Sequence, residues 1–159
     1  MLVDPAALAT LGGTISLAGG LVGSSWGMAV AGSAGVAMLA QNPRQRKNVI
    51  ILASLPMSRV FYSFIILILI VNTVSPSLNA IAEPEGAGFA VLAMGIMASV
   101  AFAVSGIYQG SVCAAGIAFL AKTNGKILTN SITLAVFVEL VAVLGLVFTI
   151  IALNILGLM

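Results

Sequence analysis

The chain has 159 residues, of which 61% are hydrophobic and 6% charged, with six Lys and Arg against four Asp and Glu, no His and one Cys. Soluble domains carry about 25% charged residues, and so few charges cannot clothe a water-facing surface of this size. The same inventory excludes His-based acid–base catalysis, a disulfide framework within the chain, zinc sites built on His or Cys pairs and a nucleic-acid-binding surface.

In chain order, four apolar stretches read as membrane helices, over about Pro5–Ala40, Val49–Pro76, Gly86–Ala121 and Ile127–Gly157. Each exceeds the roughly 20 residues that cross the hydrocarbon, so the helices are tilted or extend beyond it. The runs are too long for the roughly 10-residue strands of a membrane barrel, and no two-residue alternation shows. The fold class is therefore all-α, four transmembrane helices. Pro56 falls inside the second helix and is expected to kink it.

The connections are short and polar: residues 41–48 (Gln-Asn-Pro-Arg-Gln-Arg-Lys-Asn), about Ser77–Glu85, and residues 122–126 (Lys-Thr-Asn-Gly-Lys). Five of the six basic residues lie in the first and third connections, while Asp4, Glu83 and Glu85 lie on the opposite side. The positive-inside rule then predicts loops 41–48 and 122–126 in the cytoplasm and both termini outside. Met1-Leu2-Val3-Asp4 shows no basic leader region, so the first helix is expected to be retained. Arg44, Arg46 and Lys47 are read as topology determinants that meet lipid head groups.

The two halves align without gaps at an offset of 81, with Gly35–Ala40 falling on Gly116–Ala121. Two helices separate equivalent points, so both copies run the same way. This is a parallel repeat of a helical hairpin, residues 1–80 and 81–159, unlike the inverted repeats of many transporters. Small residues recur every four positions at Gly19, Gly23, Gly27, Ala31 and Gly35, and again at Gly106, Gly110, Ala114 and Ala118. Such rows let helices approach closely, either within one bundle or along the inside of a tight ring.

Two charged residues lie deep in helices, Arg59 and Glu139. Glu139 is 13 residues past Lys126, Gln109 is 13 before Lys122, and Ser58 and Arg59 are 10 and 11 past Asn48. At 1.5 Å per residue all sit roughly 15–20 Å in, near mid-bilayer. An ionisable group there is a functional candidate. A carboxylate at that depth is neutral when it holds a proton or when it binds a cation with neighbouring oxygens. The competing reading is a structural Glu139–Arg59 pair. At the repeat offset Glu139 falls on Ser58, so two hairpins share one acid. Tyr62, Gln109 and Ser58 have plain readings as well: a buried aromatic, an interhelical hydrogen bond and a serine bonded to its own backbone. Cys113 reads as a small core residue.

These residues carry a family resemblance. Leu55-Pro56-x-Ser58-x-x-x-Tyr62, Gly106-Ile107-Tyr108-Gln109-Gly110 with Ala114-Ala115-Gly116-Ile117, and Val138-Glu139-x-x-Ala142-x-Leu144-Gly145 stand in the order and spacing of the V-type ATPase proteolipid, the c or K subunit of the membrane rotor ring. The chain resembles the bacterial and archaeal members over nearly its whole length. The resemblance implies a homo-oligomeric ring in the lipid of a prokaryotic cell membrane, partnered by a stator a or I subunit and by central-stalk subunits. It implies a glutamate loaded through one half-channel, carried round through lipid and emptied through another, with a stator arginine helping to displace the ion. ATP hydrolysis belongs to other subunits, and no Gly-x-x-x-x-Gly-Lys-Ser/Thr phosphate loop occurs in this chain. No cofactor is implied beyond the transported H+ or Na+.

In sodium-carrying members the ligands correspond to the Leu55 carbonyl, Ser58, Arg59, Gln109 and Glu139, with Tyr62 steadying the glutamate. The resemblance thus allows a sodium ion at Glu139, Gln109 and Ser58. The departure is Arg59, which stands where sodium carriers have glutamine. Glutamine offers an acceptor oxygen, whereas arginine offers only donors and stays charged. Turned inward, its guanidinium takes the cation's place. Turned away, it snorkels or meets a carbonyl, and Glu139 carries a proton. The reading favours a proton. Its rivals are a small proton-coupled secondary transporter and a structural tetraspan protein.

Overall fold

A computed structural model describes residues 4–78 and 84–159. Glu83 lies outside the described residues, as does the side chain of Glu85 and the boundary expected between residues 80 and 81. Four long apolar helices form: α1, Pro5–Gln41; α2, Pro43–Ser77; α3, Pro84–Phe119; and α4, Leu128–Ile155. At 1.5 Å per residue these 37, 35, 36 and 28 residues exceed a hydrocarbon core of about 30 Å, so their ends stand in the headgroup region. Large apolar side chains face outward, among them Phe137, 66% exposed, and Ile155, 79% exposed. With four helices long and apolar enough to cross a bilayer, the chain is a multi-pass integral membrane protein.

The ends follow local chemistry. Asp4 caps α1, its carboxylate accepting from the Ala6 amide at 3.1 Å, and Pro5 occupies the first turn, where its missing N–H costs nothing. The expected loop over 41–48 is largely helix. The break is Asn42 alone, whose side chain accepts from the Arg44 amide at 3.2 Å and starts α2 at Pro43. The basic residues there belong to the interfacial first turns of α2, since Arg, Gln and Lys are good helix formers whatever their polarity. At the other connection α3 ends at Phe119, two residues before the expected Ala121. Asn124 and Gly125 turn the chain with φ of 51° and 85°, the second a conformation that suits glycine.

Pro56 does not break α2. The helix tightens into a 3₁₀ turn over Leu55–Met57 and resumes as α-helix over Ser58–Leu69, then widens into a π-helix over Ile70–Val74. The proline lacks the N–H that an α-helix needs, and the tighter turn accommodates the loss.

The most extensive contact is α1 with α3; α2 packs mainly on α1, and α4 on α3. Glycine makes the central contact possible. A Cβ on Gly23 would lie 2.8 Å from the Ala103 Cα, and one on Gly106 would lie 2.6 Å from the Gly23 carbonyl oxygen. Of the α1 row, Gly35 meets Val49 of α2, while Gly19, Gly23 and Gly27 thus pack against α3 inside the chain. On α3 only the first part of the row does so, because Ala118 is exposed. Two apolar clusters result. One joins Ile66, Ile70, Phe102, Ala142 and Leu153, and the other joins Leu52, Cys113, Ile117, Leu120 and Ala135.

Candidate functional site

Between the two apolar clusters lies a polar layer drawn from α2, α3 and α4. Helical spacing places Ser58, Arg59 and Tyr62 of α2 within about one turn of each other, and Ser105 and Gln109 one turn apart on α3. Glu139 faces them from α4. Its Oε1 accepts from the Tyr62 hydroxyl at 2.9 Å, and its Oε2 accepts from the Gln109 amide at 3.4 Å. The Tyr62 ring leans on Phe102, centroid to centroid 6.4 Å, which fixes the hydroxyl's aim. Gln109 Nε2 also donates to the Ala135 carbonyl at 3.0 Å.

Arg59 is turned inward and fully buried. Its Nη1 donates to Ser58 Oγ at 2.9 Å and to Gln109 Oε1, and its Nη2 donates to Ser105 Oγ at 2.8 Å. The same Nη1 lies 3.9 Å from Glu139 Oε1. Nε has no partner. The two charges differ in setting. The Arg59 side chain is 0% exposed and that of Glu139 19%, so the carboxylate sits at the rim of the layer and the guanidinium at its centre.

The structure therefore brings together Ser58, Arg59, Tyr62, Gln109 and Glu139. The Leu55 carbonyl accepts only from Ser58 Oγ, at 3.4 Å, among its side-chain contacts. Of the three oxygens named for sodium, those of Ser58 and Gln109 already accept from the guanidinium. No cluster of three or more His, Cys, Asp or Glu occurs among the described residues. The plain reading of Cys113 as a buried core residue agrees with the structure.

Sequence reasoning missed Ser105, which accepts from Arg59 and donates to the Val138 carbonyl at 2.8 Å, tying α3 to α4. Two signals pointed to it. It lies one turn before Gln109 on the same face, and it falls on Ser24 at the repeat offset. Ser24, equally missed, donates to the Pro56 carbonyl at 2.8 Å and ties α1 to the proline turn of α2.

Comparison with known proteins agrees with this architecture. The family of the ATP synthase C subunit matches residues 11–70 and 92–152, two segments that start 81 residues apart (92 − 11). The chain is 33% identical over 130 residues to the V-type sodium ATPase subunit K of Enterococcus hirae, covering 80% of this chain and 78% of that one. It is 29% identical over 155 residues to the A-type ATP synthase subunit K of Methanocaldococcus jannaschii, covering 96% of this chain. It spans only 64% of that relative's length. The chain belongs to the ATP synthase C-subunit family.

Proposed function

We propose that this member of the ATP synthase C-subunit family is the rotor-ring proteolipid of a V-type or A-type rotary ATPase, with Glu139 as its ion carrier. The observation that carries the reading is the placement of Glu139. It is the one carboxylate deep in a membrane helix, held by the Tyr62 hydroxyl and the Gln109 amide at the rim of the polar layer. A rim carboxylate reaches both lipid and an outside partner, whereas a fully enclosed one reaches neither. Ser58, Tyr62, Gln109 and the Leu55 carbonyl form its shell, with Arg59 as the modifier. The unit is two parallel hairpins, residues 1–80 and 81–159, sharing this single acid.

The protein works in a homo-oligomeric ring within a prokaryotic cell membrane, against a stator and a central stalk, with the turns near residues 41–48 and 122–126 in the cytoplasm and the termini outside. ATP hydrolysis belongs to other subunits. The cargo is a proton. Sodium is the second reading, favoured by the Enterococcus hirae relative, whose name specifies a sodium ATPase. Against sodium stands the guanidinium on the oxygens of Ser58 and Gln109.

The test is ATP-driven ion uptake by the reconstituted complex carrying Glu139→Gln. Uptake is expected to fall to background, and labelling of the ring by a hydrophobic carbodiimide to disappear. Uptake at the wild-type rate would return the Arg59–Glu139 pair to a purely structural role.

A further inference from the structure

The guanidinium of Arg59 is a charge that an ion carrier does not need. A carrier glutamate in lipid is ordinarily neutralised by its cargo. Here a cation of the chain's own already lies in the layer, with two hydroxyl oxygens and an amide oxygen turned onto it, from Ser58, Ser105 and Gln109. Glu139 Oε1 completes the set at 3.9 Å. Hydroxyl, amide and carboxylate oxygens are the donor types that surround a small hard cation. We propose that Arg59 is the resident counter-cation of the Glu139 site and its specificity-determining residue, filling the place of a metal cation and keeping sodium out. This deepens the reading of Glu139 as carrier and rests on it.

Charge counting supports the assignment. Arginine stays protonated in proteins, so Arg59 and Glu139 sum to zero with no cargo aboard. Sodium would have to draw its ligands from the Ser58 and Gln109 oxygens that already accept from this cation, whereas a proton joins the carboxyl itself and needs neither. Behind Arg59, α1 presses so close that a Cβ on Gly20 would lie 2.7 Å from the Arg59 carbonyl oxygen, which fixes the backbone that carries the guanidinium. The partnerless Nε is a local cost that the Nη contacts offset, so the side chain is held by the oxygens rather than by a bond along its stem.

The assignment predicts a gain of function. Arg59→Gln replaces a donor-only fork with a side chain that offers an acceptor oxygen, and it removes the competing charge. Radioactive sodium binding is measured on the purified, detergent-extracted oligomer for the wild type, Arg59→Gln and Arg59→Lys. The expected result is no saturable binding by the wild type or Arg59→Lys. Arg59→Gln is expected to bind sodium saturably, and the bound ion should then shield Glu139 from carbodiimide. Equal binding by wild type and Arg59→Gln overturns the proposal, as does an assembled Arg59→Gln oligomer that binds none. Sodium binding by Arg59→Lys as tight as that by Arg59→Gln overturns it too, because the charge would then not be what excludes the ion. Should Arg59→Gln fail to assemble, the wild type decides: saturable binding that shields Glu139 refutes the proposal, and its absence supports it. A failure of the carrier reading shows separately, as undiminished transport by Glu139→Gln.

Discussion

The hairpin α1–α2 and the hairpin α3–α4 share a plan and divide the chemistry. At positions 81 apart, Ser58 stands against Glu139, Arg59 against Leu140, Tyr62 against Val143, and Met28 against Gln109. One pair keeps its role. Ser24 and Ser105 each donate 2.8 Å across their own hairpin to a carbonyl of the second helix, Pro56 in one and Val138 in the other. Everything else in the polar layer has become complementary. The first hairpin brings the cation, the phenol and a hydroxyl, and the second brings the anion and the amide. Neither half forms the network alone. A tandem repeat thus lets one hairpin carry the cation, Arg59, and the other the anion, Glu139, which identical single hairpins cannot do.

The largest expected break in this asymmetry comes from treating equivalent positions alike. Glu139→Gln should abolish transport in the reconstituted complex, because it removes the only deep carboxylate. Ser58→Ala at the equivalent position should slow transport by about tenfold at most, since it removes one of several acceptors around Arg59 and a long 3.4 Å bond to its own helix. Initial rates of ATP-driven ion uptake separate the two.

The glycines give the next largest effect. A Cβ on Gly27 would meet the Pro56 Cβ at 2.8 Å and the Gly106 carbonyl carbon at 3.1 Å, while Gly32, on the same helix, has nothing within 4 Å. Gly27→Leu should therefore force α1 away from both α2 and α3, at a cost of about 1–3 kcal/mol or more. Gly32→Leu should be nearly silent in the isolated chain. The midpoint of thermal or detergent-induced unfolding reads the contrast. The position equivalent to Gly27 is Tyr108, which is 63% exposed. The two hairpins therefore do not offer the same face to each other, despite their shared plan.

The long helices were legible in the sequence because bilayer thickness and apolar run length leave little choice. Depth counting from the basic connections was enough to gather Ser58, Arg59, Gln109 and Glu139 at one level. Two things were not legible. Polarity in residues 41–48 suggested a loop, but polarity marks only the lipid boundary, and Asn42 with Pro43 sets where the helix begins. The direction of Arg59 was open because its side chain is long enough to reach either the layer or the interface. Ser105 decides between them by supplying an acceptor for Nη2, and a serine in an apolar helix gives little sign that it is more than self-bonded.

The smallest effect sharpens the one point on which the hairpins agree. Ser24→Ala removes a single bond to the Pro56 carbonyl, and membrane interhelical bonds of this kind average about 0.6 kcal/mol. Ser105→Ala removes the matching bond to Val138 and also an acceptor from a fully buried guanidinium, for which about 1–3 kcal/mol is expected. Ser105→Ala should then lower the unfolding midpoint more than Ser24→Ala. In the Arg59→Gln background, where no guanidinium needs that oxygen, the gap between the two alanine variants should close. If it persists there, the excess at Ser105 comes from packing against α4, and the resemblance of the two serines is one of position alone.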